Sequence, residues 1–324
     1  MGIIHNRGCF EMLKIYLTDM ETNEFKEINE FKKGAWINLV NPSEREIKKV
    51  CESLQIEEDF IRYPLDFEEK ARIDTEDDTK LFIIDVPIIE TVEEEKLHTT
   101  MPLGMIVVRD DFFITVSLNK NKIIEDFEKN RVKGFCTYKK TRFVLQILFA
   151  NSSSYLTILK QINKESEMNV LRLQKSMRNK ELIKLLNLEN SLVYIATSLR
   201  SNEVVMEKTL SGKIIKLYEE DEDILDDAIV ENKQAIEMCK IYSDILSGTM
   251  DAYASIISNN LNSVMKFLAA ITIVLSLPTM IASFWGMNVD LPFAQNPFAF
   301  IIIMLLSIGL ALLATIWLKK KDMF

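Results

Sequence analysis

The sequence predicts an α+β cytoplasmic domain followed by long helices and a two-helix transmembrane C-terminal anchor. Three observations carry this prediction. Residues 1–139 alternate short apolar runs with turn signals. The tract after them has no proline from Leu103 to Leu277, and from Phe135 to Leu277 its only glycines are Gly212 and Gly248. Near the end stand two runs without a charged residue, Phe267 to Trp285 and Pro297 to Leu318.

Within residues 1–139, Met12–Leu17 and Trp36–Val40 read as strands. Asn41-Pro42 makes a turn, and Ser43 with Glu46 forms a capping box that opens a helix running to about Leu54. Leu81–Ile89 is a continuous apolar run containing Pro87, which suits a buried strand reaching a sheet edge. Met101–Val108 and Phe112–Leu118, joined by Arg109-Asp110-Asp111, predict a hairpin. No glycine-rich phosphate loop, nucleophile elbow or paired catalytic constellation occurs, so the chain is not expected to be an enzyme. The start, with Arg7 and no apolar stretch, is not a secretory signal, and Asn6 stands where a myristoylation site needs Ser or Thr. Residues 1–11 are given no role.

Residues 140–220 read as long antiparallel helices, because apolar residues recur at helical spacing without breakers. Hydrophilic interruptions at Arg178-Asn179-Lys180 and Ser211-Gly212-Lys213 divide the tract into three. The third begins near Asp221 and continues into the first span; to Trp285 it would be ~95 Å long at ~1.5 Å per residue. Residues 221–260 form its cytoplasmic stalk, whose apolar stripe needs partners, so self-association is expected. Glu219 to Asp223, with Asp226 and Asp227, place seven carboxylates in nine positions. They read either as a solvated helix N-terminus or as a divalent-cation sensor.

At ~1.5 Å per residue the run from Phe267 to Trp285 extends ~28 Å, close to the ~30 Å hydrocarbon core of a bilayer. The first span is set at 261–285, the connecting loop at 286–296, the second span at 297–318 and a basic tail at 319–324. Asn262, Met265, Ala269, Thr272, Ser276, Thr279 and Ser283 follow a 3,4 spacing that puts them on one seam, five of the seven polar. A polar seam must be sheltered from lipid, by close helix packing or by a water-filled lumen, and periodicity leaves both readings open. Lys319, Lys320 and Lys321 follow the second span, and the loop between the spans has no Lys or Arg, so both termini are expected in the cytoplasm.

Composition narrows the function classes. A formal net charge of −9 argues against nucleic acid and suits attraction of cations. Four dispersed cysteines form no CxxC pair and read as reduced thiols. His5 and His98 are the only histidines, too few for a histidine-built metal site.

Phe284-Trp285-Gly286-Met287-Asn288 resembles the signature that closes the first transmembrane helix of the CorA family of divalent-cation channels. The resemblance extends to Asp244 through Tyr253, to Asn259 through Lys266, and in layout to the whole chain. It implies a homopentamer in the cytoplasmic membrane that passes hydrated Mg2+, with Co2+ or Ni2+ as surrogates. In that setting Gly286, Met287 and Asn288 would form the selectivity ring, Asn288 accepting hydrogen bonds from coordinated water; alone, it would read as a helix cap. Met265 and Leu268 match the family's hydrophobic constriction, with ordinary helix packing as the other reading. Asn262, Thr272, Ser276 and Thr279 would line the pore, although some relatives carry methionine where Ser276 stands. Asp227 and Asp251 fall on family positions for regulatory Mg2+; the N-terminal acid that partners Asp227 in relatives has no clear counterpart, Asp66, Glu68 and Glu69 being nearest. The loop from Val289 to Asn296 lacks the family's Met-Pro-Glu-Leu and carries one acid. The alternatives are zinc transport of the related ZntB kind and a non-conducting, membrane-tethered helical scaffold. No organic cofactor is expected.

Overall fold

The computed structural model describes residues 13–92, 95–176, 179–287 and 297–323. The chain forms two compact units, Met1–Ser247 and Gly248–Phe324.

The first unit is built on seven strands: β1 (Leu13–Thr18), β2 (Phe25–Ile28), β3 (Trp36–Val40), β4 (Arg72–Glu76), β5 (Thr79–Val92), β6 (Glu95–Val108) and β7 (Phe112–Ser117). They make one sheet in the order β2-β1-β3-β7-β6-β5-β4, antiparallel throughout except for the parallel pair β3 and β7. Strand alternation sorts the side chains onto two faces. On one face Tyr16, Trp36, Phe82, Ile84, Leu103, Met105 and Phe113 join a single core. On the other, Ile15, Ile37, Leu39, Leu81, Ile83, Ile106 and Ile114 join a second.

Helices cover both faces. α1 (Glu44–Leu54) opens with the Ser43 capping box, in which Ser43 N–H donates to Glu46 at 2.7 Å, and buries Ile47, Val50, Cys51 and Leu54 on the second core. α2 (Glu58–Arg62) follows, leading into a short 3-10 turn at Tyr63–Leu65. Gly104 on β6 is required here, because a Cβ at that position would collide with Pro64. The first core is closed by α3 (Lys122–Glu128), α4 (Lys140–Ser176), α5 (Asn179–Leu210) and the start of α6 (Glu219–Trp285). Phe143, Val144, Leu148, Val205, Met206, Leu225 and Ala228 all contribute to it. These helices therefore share a compact unit with the sheet, α6 only through its first part.

The expected strands, the α1 helix, the hairpin and three long helices are present. The turn Arg109-Asp110 has positive φ at both residues, 50° and 52°, as a tight hairpin requires. β5 is longer than the apolar run that signalled it. β4 pairs only with Thr79–Ile83, so from Ile84 onward β5 is the sheet's edge, where Pro87 costs no ladder bond. At Asp85 helix side chains take over the missing strand's role. The Asp85 carbonyl accepts from Asn151 Nδ2 (2.9 Å), Tyr155 OH (3.0 Å) and Asn202 Nδ2 (2.8 Å), while its N–H donates to Asn202 Oδ1 (2.9 Å). β2, β4, α2 and α3 had no counterpart in the sequence reading.

The second unit contains the remainder of α6 and α7 (Ala299–Lys320). Both helices are long and apolar enough to cross a membrane, with 6% and 0% of their most apolar windows buried.

Candidate functional site

The seam on α6 is an exposed face. Asn262, Met265, Ala269, Thr272, Ser276, Thr279 and Ser283 are all exposed, whereas Ala270 is buried and Val274, Leu277, Pro278, Ile281 and Trp285 are partly buried. The two sets alternate around the helix at a spacing of 3 and 4, so they occupy different faces. Met265 is 59% and Leu268 53% exposed. Thr272, Leu275, Ser276, Thr279, Met280 and Ser283 line a shallow groove of about 490 Å³ along this face.

The hydroxyls have a defined polarity. Thr272 Oγ1 donates to the Leu268 carbonyl at 2.8 Å, Ser276 Oγ to Thr272 at 2.7 Å, Thr279 Oγ1 to Leu275 at 2.9 Å and Ser283 Oγ to Thr279 at 2.8 Å. Each proton is thus engaged with a carbonyl one turn back. What each hydroxyl offers outward is oxygen lone pairs. A column of acceptors suits the water shell of a hydrated cation, whose protons point away from the metal. Position was readable in the sequence, but this orientation was not.

The helix ends at Trp285. Gly286 N–H reaches the carbonyls of Ala282 (3.0 Å) and Ser283 (3.2 Å), and Met287 N–H reaches Phe284 (3.4 Å). A Cβ on Gly286 would make only ordinary contacts, 3.5 Å from the Ala282 carbonyl and 3.7 Å from that of Ser283. Among the described residues, nothing within one chain demands glycine there. Met287 is exposed. Asn288 and the loop from Val289 to Asn296 lie outside the described residues.

The three acids singled out for metal regulation are exposed and are not gathered by one chain. Asp66 caps a turn, its Oδ1 accepting from Glu68 N–H at 3.0 Å. Asp227 stands in the early turns of α6, and the Asp251 carbonyl accepts from Ser255 Oγ at 3.1 Å. Among the described residues no group of three or more His, Cys, Asp or Glu could hold a metal ion.

The family model described as CorA-like Mg2+ transporter protein matches residues 31–320. The chain belongs to this family. The cobalt/magnesium transport protein CorA of Methanocaldococcus jannaschii is 28% identical over 284 residues, covering 84% of this chain and 86% of that protein. The complete structure of the CorA magnesium transporter from the same organism superposes with a TM-score of 0.81 at 23% identity, covering 94% of this chain and 96% of the other. The cytoplasmic domain of ZntB from Vibrio parahaemolyticus has a TM-score of 0.57 at 12% identity, over 77% of this chain and 97% of its own. The fold of an α/β unit, a long helix and a C-terminal apolar helix is that of the full-length CorA transporter. As a CorA-like chain it is a transport protein of the membrane, with two helices suited to spanning.

Sequence reasoning missed two groups that only the fold assembles. One is the set of side chains on the Asp85 edge. The other is a charged cavity beside the start of α4, lined by five cations and four carboxylates. Each draws on stretches of chain separated by dozens of residues, so no single local pattern marked it.

Proposed function

We propose that the chain forms a homopentameric channel in the cytoplasmic membrane that admits hydrated Mg2+, with Co2+ and Ni2+ as surrogates. The observation that carries this reading is the exposed column of hydroxyl acceptors on α6, running from the apolar pair Met265 and Leu268 toward Gly286 and Met287. Around a symmetry axis that column would line a lumen with oxygen alone. Mg2+ gives up its inner water reluctantly and is best handled by groups that bind the shell without stripping it. Asn288 would complete the path as a ring of carboxamide acceptors at the outer mouth.

In this reading 221–260 is the stalk, 261–285 the pore helix, 286–296 the outer loop, 297–318 the second span and 319–324 the cytoplasmic tail. Lys319, Lys320 and Lys321 hold both termini inside. The membrane potential supplies the drive: a divalent ion gains roughly 4.6 kcal/mol at about 100 mV, so ATP coupling is unnecessary. The name of the Methanocaldococcus relative, a cobalt/magnesium transport protein, supports the same ion class.

The test is Asn288→Ala. It is expected to abolish Mg2+-dependent rescue of a transport-deficient strain while the oligomer assembles normally. Undiminished growth would remove Asn288 from the filter. Zinc transport has the ZntB likeness in its favour, which concerns the cytoplasmic fold. Parallel Mg2+ and Zn2+ flux in liposomes separates the two, and no flux of either leaves a tethered scaffold.

A further inference from the structure

The first compact unit holds an open cavity of about 650 Å³, bordered by the start of β5, the β6–β7 turn, the first turn of α4 and the segment leading into α6. Four lysines line it: Lys80, Lys139, Lys140 and Lys216. Among the described residues no carboxylate oxygen lies within 4.0 Å of any of these ammonium groups. Lys140 is the most telling. It is half-buried, and its Nζ donates to the Tyr138 carbonyl at a long 3.4 Å. Burial pushes its pKa down, against the opposing pull of Asp110 and Asp111.

Arg142 differs, lying 3.7 Å from the buried carboxylate of Asp221 and 4.0 Å from Glu220. Its Nε is nevertheless buried without a hydrogen-bond partner among the described residues. The first turn of α4 carries no acidic residue, and cations crowd it instead. Cations at a helix start oppose the macrodipole; the lining carboxylates offset this in part, and a bound anion would offset it further. Tyr138 and Tyr218 add two aromatic rings, with Lys216 Nζ 5.4 Å from the Tyr218 ring centroid. Four carboxylates line the cavity as well: Asp221 is buried, and Asp110, Glu219 and Glu220 are exposed at its rim.

We propose that this cavity binds a nucleoside polyphosphate as its Mg2+ complex. The lysines take the phosphate oxygens, each contact being charge-assisted. A tyrosine ring stacks on the base. The rim carboxylates would repel bare phosphates, but Mg2+ is commonly held by one or two carboxylates together with phosphate oxygens, which turns that repulsion into a bridge. The volume falls in the range of small-ligand sites. The site lies wholly within the first compact unit and does not rest on the channel reading.

Isothermal titration of the full chain in lipid nanodiscs with Mg·ATP tests the proposal. Saturable binding is expected, weakened about tenfold or more by the double variant Lys139→Ala, Lys140→Ala, as the loss of two charge-assisted contacts implies. Lys216→Ala, at an exposed position, supplies the comparison if the double variant does not fold, which the fluorescence of buried Trp36 reports. Tyr218→Ala should weaken Mg·ATP while leaving Mg·tripolyphosphate unaffected. Absence of saturable binding, or unchanged affinity in the lysine variants, overturns the site. Tripolyphosphate binding as tightly as ATP overturns the nucleoside assignment, and equal ATP affinity in EDTA overturns the Mg2+ bridge. Binding is read without ion flux, so a failed transport experiment leaves its outcome distinct.

Discussion

Met265 and Leu268 expose more than half of their surfaces on a single chain, so lipid or a neighbouring helix must be what covers them. In an assembled pore, rings of these side chains would exclude water and so stop ions without touching them. Met265→Asn replaces the thioether with an amide that holds water. It is expected to raise resting Mg2+ flux severalfold in proteoliposomes loaded with high internal Mg2+. Unchanged flux with normal assembly would return both residues to helix packing. The hydroxyl column belongs to the same scale. Its spacing was legible in the sequence because helical periodicity is a local rule. The direction of each proton was not, because it depends on which carbonyl is within reach after the helix has formed.

At the scale of elements, the half of β5 that β4 leaves unpaired is the clearest case of structure decided by distant residues. Asn151, Tyr155 and Asn202 satisfy the backbone at Asp85, and burial pushes the Asp85 carboxyl up to about 6, Ser198 partly offsetting it. An unfolded aspartate titrates near ~3.9, so the folded chain binds this proton more tightly. Its contribution to stability is therefore present at low pH and is lost as pH rises from about 4 to about 6. Above that window the ionised carboxylate costs roughly 2–3 kcal/mol. Asp85→Asn should raise the thermal midpoint of the full chain at about pH 7.5, followed by Trp36 fluorescence, and the gain should vanish near pH 4. A gain independent of pH would refute the titration argument. The same contrast explains what the sequence hid. α1 was legible because Ser43 and Glu46 cap it locally, whereas β4 is the polar stretch RIDTE, a strand only because Thr79–Ile83 pairs with it. The first half of β6 was missed for the same reason.

For the molecule as a whole, the acidic start of α6 raises the question of regulation. Asp227 and Asp251 are exposed and lie in different compact units, and among the described residues one chain gathers no metal site from them. We propose that any sensing through them would act between neighbouring copies, Mg2+ bridging carboxylates that otherwise repel. Mg2+ is expected to slow proteolysis of the stalk severalfold, and Asp227→Lys with Asp251→Lys should remove that dependence. Equal protection by Na+ at matched ionic strength would reduce the effect to screening. Family membership and the general architecture were legible because the Gly-Met-Asn ending and the two apolar runs are contiguous. The mutual placement of the acids was not, because it depends on residues far apart in the chain. Pro278, meanwhile, stands inside α6, where it has no N–H to give the Val274 carbonyl. A missing rung weakens the helical ladder, so we expect α6 to bend more readily there than elsewhere between the apolar pair and the Gly286 end. A bend there would let the lower half of the helix swing like a lever while the upper end keeps its shape. Pro278→Ala should stiffen the joint, lowering the rate of Mg2+ entry while leaving the ratio of Mg2+ to Co2+ flux unchanged; a changed ratio would mean the two ends move as one.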